Sequence, residues 1–311
     1  MTCGANGALT RICFEPGASP HTFDTNSEPY SIISENVRLV SNWIEDPALT
    51  GSRSVQYTQR RRGPSWIQGR IRMRLRPAEL DLLLPRILGA NEVATDTFNV
   101  ANDVPTFGIL IDRVTQTFQY KDCKVARCII TGVSSALQGD NPQPIEMTLD
   151  ILGRSRTLGT SYPALTLGST SAYLPYIFEE GAITLNGAAR DLIDFQLVID
   201  NRLRPRFVNA MTPVDICPYG SRLVMLRTRT PFTASELNLI GQAEGGAAGS
   251  LVWTSSGTPT ISTTVSFGRL QTLDDNDPSI NGQEEIPLIT DMVASANGAT
   301  NEIQFVNDPV A

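Results

Sequence analysis

Two stretches of this 311-residue chain follow the same local plan. Residues 70–76 (RIRMRLR) run through Pro77 into AELDLLLPRIL, and residues 222–230 (RLVMLRTRT) run through Pro231 into FTASELNLI. Apolar and charged side chains alternating with period two predict a strand with one buried face. Pro77 suits a first helical turn, where its missing N–H has no partner to lose. Thr233 or Ser235 can cap the second helix through a side-chain oxygen. Leu80, Leu83 and Leu84 form one apolar stripe, and Leu237 with Ile240 forms the shorter equivalent. A strand, a proline and a Glu-Leu-x-Leu helix met twice predict an internal duplication, and with it two similar units rather than one large core.

The remaining strand signals are short runs bounded by Gly, Pro, Asn or Asp. In the first half they fall at 106–112, 117–120, 124–133 and 145–151; in the second at 183–185, 193–199, 251–253, 260–267, 286–292 and 302–306. The class is therefore all-β, with a short flanking helix in each half. Residues 156–175 are rich in Gly, Ser, Thr and Pro without sustained periodicity, the composition of a connector. We divide the chain into an extended N-terminal arm (1–29), a first domain (30–158), a linker (159–178) and a second domain (179–311). Two long polar excursions, 46–66 and 201–220, precede the arginine-bearing strands at equivalent places and read as functional loops.

Charge narrows the partners. Residues 1–158 hold 17 Lys+Arg against 16 Asp+Glu, whereas 159–311 hold 8 against 16. An acidic second half disfavours tight nucleic-acid binding, which needs concentrated positive charge. Only Lys121 and Lys124 are lysines, and arginine forks suit bidentate pairing between protein surfaces. No run of apolar residues is long enough for a membrane span, and residues 1–17 lack a secretory pattern. Five scattered cysteines read as reduced thiols.

Catalytic motifs are sparse. His21 is the single histidine and lies in a Pro-rich segment; there is no phosphate loop, dinucleotide fingerprint or nucleophile elbow. Cys123 and Cys128, five apart on one strand, are expected on opposite faces and hence not on a shared metal. Residues 274–285 (DDNDPSINGQEE) lack the turn glycine and closing carboxylate of a calcium loop. Glu179 with Glu180 and Glu284 with Glu285 are adjacent pairs that face apart in a strand. No cofactor and no catalysis are expected. Arg60, Arg61 and Arg62 before Trp66 could stack on single-stranded nucleic acid or dock on protein, where Arg and Trp are enriched. Alternation places Arg70, Arg72, Arg74 and Arg76 on one strand face, where they need acidic cover. A neighbouring copy's acidic surface would supply it.

Residues 106–157 (TFGILIDRVTQTFQYKDCKVARCIITGVSSALQGDNPQPIEMTLDILGRSRT) resemble phage tail tube proteins in their IxxD strand, aromatic strand, CKV strand and closing TLDILG strand. Residues 183–207 (ITLNGAARDLIDFQLVIDNRLRPRF) are similar to the ITLNG and IDN-Arg strand pair of the same family. The resemblance implies tandem β-sandwich or barrel-like domains, a structural virion subunit made in the host cytoplasm, and rings stacked into a tube through which double-stranded DNA passes unread. Two domains per chain imply a trimeric ring with pseudo-sixfold symmetry. Its partners would be itself and other tail proteins, without membrane insertion. On this reading Arg60, Arg61, Arg62, Trp66, Arg202, Arg204, Arg206 and Tyr219 contact the next ring, and Arg70, Arg72, Arg74 and Arg76 face a neighbouring subunit. The lumen is expected to be acidic or neutral. A tail terminator, a head-to-tail joining protein, a secretion-system tube and a nucleic-acid-binding module are the alternatives.

Overall fold

The computed structural model describes residues 7–45, 59–94, 96–135, 142–165, 174–233, 246–255, 260–273, 277–278, 280, 286–298 and 300–308. The first half contains β1 (Arg11–Pro16), β2 (Glu28–Tyr30), β3 (Ile32–Glu35), β4 (Arg38–Glu45), β5 (Arg60–Arg74), α1 (Pro77–Leu88), β6 (Gly89–Ala94), β7 (Thr97–Val100), β8 (Phe107–Asp112), β9 (Thr117–Val133), β10 (Glu146–Gly153) and β11 (Ser155–Leu158). The second contains β12 (Gly181–Leu185), β13 (Ala188–Arg190), β14 (Asp194–Asp200), β15 (Leu203–Arg206), β16 (Asp215–Pro218), β17 (Leu223–Pro231), β18 (Ala247–Thr254), β19 (Ser262–Thr272), β20 (Pro287–Ser295) and β21 (Ile303–Asp308). Every strand expected from period-two alternation is present, and the fold is all-β. Helix α1 begins at Pro77, buries Leu80, Leu83, Leu84, Ile87 and Leu88, and ends at Gly89, whose left-handed φ of +95° lets its N–H reach the Pro85 carbonyl. The expected second helix, 234–240, lies outside the described residues.

One chain of antiparallel pairings occurs twice. In the first half β2 pairs β1, β1 pairs β8, β8 pairs β9, β9 pairs β11 and β10, β10 pairs β5, and β5 pairs β3 and β4. In the second β13 pairs β12, β12 pairs β18, β18 pairs β19, β19 pairs β21 and β20, β20 pairs β17, and β17 pairs β14. The halves join where β14 runs against β9, from Asp194 opposite Val133 to Asp200 opposite Arg127. A sheet β4-β5-β10-β9-β14-β17-β20 thus crosses the molecule unbroken. Its inward residues, among them Ile71, Met73, Leu149, Ile151, Leu197, Ile199, Leu226 and Met292, are buried. The outward residues alternate with them as period two requires.

Polar groups stitch the joint. Asn201 donates to the carbonyls of Ile87 (2.9 Å) and Val125 (3.0 Å), and Arg222 donates to Asn201 Oδ1 (2.7 Å) and to the Ala101 carbonyl (2.6 Å). β21 pairs β7, and Asn307 donates to the Pro77 carbonyl.

Three expectations about the chain's organisation change. Within the segment 1–29, residues 11–16 are part of the body rather than an arm: Ile12, Cys13 and Phe14 of β1 are fully buried against β8, because an apolar ICF triplet between Pro- and Gly-rich flanks is enough for a core strand. The stretch 159–178 is not only a connector, since Tyr176 is buried, its N–H bonds the Leu75 carbonyl, and its hydroxyl lies 3.0 Å from Thr263 Oγ1. Arg60 to Trp66 lie in β5, paired with β4, rather than in a loop.

Candidate assembly interface

The outward face of the through-running sheet is a ladder of alternating charge. Arg70 and Arg72 of β5 meet Asp150 (2.7 Å) and Glu146 (2.6 Å) of β10. Arg127 of β9 stands in register between Asp150 and Asp200. Arg229 and Arg227 of β17 meet Asp194 of β14 (3.9 Å) and Asp291 of β20 (3.7 Å). The acidic cover expected from a neighbouring copy is therefore supplied for Arg70 and Arg72 by the next strand of the same chain. Cross-strand pairs are the nearest solution to like charge along one strand face. Arg74 stands opposite Glu146 in register, and Arg76 precedes α1 at its N-cap. Burial leaves the pairs partly hydrated, so their contribution is local neutrality more than stability.

The two excursions are hairpins of different reach. In the second half the backbone turns at Arg202 (φ +47°), and β15 with β16 folds back as a separate two-stranded sheet. This hairpin lies over β10, and the segment that joins its two strands grips the first half. The Ser65 N–H donates to the Met211 carbonyl (2.8 Å), Arg154 Nε donates to the Pro213 carbonyl (2.9 Å), and Phe207 meets Trp66 edge-on with ring centroids 6.2 Å apart. A cavity of about 820 Å³ remains beneath, bounded by Arg38, Trp66, Arg127, Asp200 and Arg202. Leu203 and Ile216 are buried, whereas Arg204, Arg206 and Tyr219 face outward and Arg204 lies over the Tyr219 ring. In the first half β4 and β5 stay paired with each other as far as Glu45 opposite Arg60, past a register shift between Ser41 and Trp43. Trp43 and Ile44 at their end are 65% and 50% exposed, and Arg60, Arg61 and Arg62 stand beside them. Among the described residues, β3 and β4 pair only with β5. Such an open border invites another strand.

A family model described as phage tail tube protein matches residues 6–299. The chain belongs to the phage tail tube protein family. A comparison with the curated proteins finds no match. As a tail tube protein the chain is a structural component of the virion tail, and no helix among its described residues is long and apolar enough to cross a membrane.

The residues weighed for chemistry have structural duties in this tail tube protein. His21 is enclosed, accepts the Asp122 N–H at Nε2 (3.2 Å), and has its pKa lowered chiefly by burial, so the ring is neutral at neutral pH. Glu179 accepts the Ser135 N–H and Glu180 the Ile177 N–H. Cys123 and Cys128 both face the core instead of opposite faces. Val125 pairs Ile151 while Arg127 pairs Asp150, so Ala126 is an extra residue that restores inward parity beyond it. Burial raises both thiols far above the ordinary range, and Cys13 to about 12, which leaves them protonated and inert. Most of the calcium-like stretch 274–285 lies outside the described residues. Sequence reading missed Asn201 and Arg222, the joint's polar stitches. The IDN-Arg motif contains Asn201, but nothing local marks its carbonyl partners.

Proposed function

We propose that three copies of this chain close a ring with pseudo-sixfold symmetry, that rings stack into the tail tube, and that double-stranded DNA passes through the lumen during ejection. The observation that carries this reading is the twice-met chain of strand pairings. On this view each half is one tube domain, and the β9 and β14 junction is an internal version of a subunit contact. Three chains then place six such units around an axis, and joining open borders between copies removes them. The unbroken sheet lines the lumen with its charge ladder, where Arg70, Arg72, Arg227 and Arg229 each have a carboxylate within 4.0 Å and so are less free to retain phosphate. Head-to-tail contacts along the axis do not close and so propagate as a filament. Arg204, Arg206 and Tyr219, which face outward, are our candidates for those axial contacts. The mass of the smallest soluble assembly tests the ring: three chains are expected, and a smallest assembly of six chains would sink it. Negative-stain images separate stacked tubes from the isolated rings of a terminator.

A further inference from the structure

The through-running sheet has two chemically different ends. β10 pairs β9, β9 pairs β14, β14 pairs β17 and β17 pairs β20, each antiparallel, so β10, β14 and β20 point the same way. The cavity of about 820 Å³ lies where β10 and β14 finish, for it is bounded by Asp150 and Leu152 of β10, by Asp200, the last residue of β14, and by Arg202 just beyond. Its lining sets four arginines, Arg38, Arg70, Arg127 and Arg202, against two carboxylates, Asp150 and Asp200. Asp150 is committed to Arg70 (2.7 Å), and Asp200 accepts the backbone N–H of Arg202 (2.8 Å). Arg127 Nε is enclosed without a hydrogen-bond partner among the described residues. An enclosed cationic donor left unpaired is costly unless an acceptor reaches it. Arg60, Arg61 and Arg62 at the start of β5 and Arg204 and Arg206 of the β15-β16 hairpin add positive charge at this end.

The opposite end is acidic. Residues 274–285 (DDNDPSINGQEE) carry five carboxylates and no lysine or arginine. They join β19 to the N-terminal end of β20, and two backbone bonds fix their flanks, from the Leu273 N–H to the Asp291 carbonyl (2.9 Å) and from the Phe232 N–H to the Ile286 carbonyl (2.9 Å). Within the segment Ile280 is 74% exposed. Glu179, which accepts the N–H of Ser135 just past β9, stands at the same end.

We propose that the acidic segment 274–285 of one copy docks in the arginine-lined cavity of a second copy of this chain, in the next ring of the stack. This rests on the stacked-ring reading above and adds to it the seat and the occupant of the axial contact. The carboxylates supply Arg127 with the acceptor it lacks, and Trp66 and Phe207 of the lining offer Ile280 an apolar surface. Trp66, Arg202 and Tyr219, expected from the sequence to meet the next ring, all line this cavity. Arginine, tryptophan and tyrosine are also the side chains on which association free energy concentrates. Opposite charge at opposite ends sets the polarity of the stack. Head-to-tail apposition joins unlike ends, whereas head-to-head apposition sets arginine against arginine.

The test uses the full chain. Asp274→Asn, Asp275→Asn and Asp277→Asn together remove charge without changing side-chain size, so circular dichroism, the melting temperature and the mass of the ring should match the wild type. The concentration at which tubes form, followed by light scattering and negative-stain images, should rise on the order of tenfold or more. Arg127→Gln should act in the same direction, and its effect should shrink when it is added to the segment variant, as for two sides of one contact. In a Cys3→Ser, Cys217→Ser background, chains carrying Ile280→Cys are mixed with chains carrying Tyr219→Cys and treated with a short bis-maleimide. A covalent dimer of one chain of each kind is expected in tubes and none in isolated rings. A dimer that forms equally in isolated rings makes the contact lateral and overturns the proposal. If wild-type rings stack while the segment variant stacks at the same concentration and the cysteines do not link, the docking is wrong and the stacked-ring reading stands. If wild-type rings do not stack, that reading falls and this inference with it. Retention of a labelled duplex by the wild type that Arg127→Gln abolishes, with stacking unchanged, would assign the cavity to phosphate instead.

Discussion

Glu79 sits on the first turn of α1 with no exposed surface, one carboxylate oxygen accepting the Ser31 N–H (2.9 Å) and the other without a hydrogen-bond partner. Burial, the largest cause, raises its pKa from 4.5 to about 7. The folded state thus holds a proton that the unfolded chain has released. Stability is fully present below about pH 4.5 and is lost as pH rises towards 7, at about 1.4 kcal/mol per unit for this one group. Glu79→Gln should flatten that part of the stability profile, so that urea melts at pH 5 and pH 8 lie closer together than for the wild type. An unchanged pH slope would show that Glu79 is ionised in the fold. Asn201 offers a second test, since it satisfies two carbonyls of the first half and orients Arg222. Asn201→Leu keeps the volume and strands those groups, which should cost roughly 2–4 kcal/mol in urea unfolding. Neither residue was legible in the sequence. Asn201 reaches partners 114 and 76 residues away, and no local pattern encodes such a meeting.

Elements were more legible than residues, because a strand that buries one face must alternate and β9, β10, β14 and β17 do so visibly. The β4-β5 end was not. Its residues include Arg60, Arg61, Arg62, Gly63 and Pro64, a loop composition, and it is a strand because β4 pairs with it while neither face needs an apolar row. The bulge at Ala126 was equally hidden, since an inserted residue shifts parity without leaving a composition signal. The junction of halves turns on a small residue. A Cβ on Gly132 would lie 2.4 Å from Phe195 Cε1 and 2.9 Å from Phe178 Cδ2, and those rings stack at 6.1 Å between β14 and the entry to β12. Gly132→Ala should therefore destabilise the chain by about 1–3 kcal/mol through overpacking, read as a lower midpoint in denaturant. Thr131→Ala, one residue away and facing outward, should lie within about 0.5 kcal/mol of the wild type.

At the scale of the whole molecule one repeated strand, proline and helix phrase predicts a duplication, and the two halves show the same order of strand pairings. What the sequence concealed was how closely the halves interlock: β9 against β14, β21 against β7, and Tyr176 bonded to both. The same closeness decides the electrostatics of the proposed lumen. The chain carries a net charge of −7, yet its through-running sheet presents Arg70, Arg72, Arg227 and Arg229 outward. Each lies within 4.0 Å of a carboxylate on a neighbouring strand. A cation already paired displaces few counterions when phosphate approaches, so the face should be slippery to a duplex rather than adhesive. Fluorescence anisotropy of a labelled duplex should therefore show no retention by the wild type at about 0.15 M salt, where exposed charges are screened beyond roughly 8 Å. Asp150→Asn with Asp291→Asn removes one partner from Arg70 and one from Arg227 without changing side-chain size. Binding should then appear at low salt and weaken steeply as salt rises, with a log-log slope of about −0.9 for each phosphate engaged. Steep salt-dependent binding by the wild type, or no gain in the variant, would mean that the ladder does not neutralise these arginines. The case for a conduit that releases DNA freely would then need charge from elsewhere on the tube.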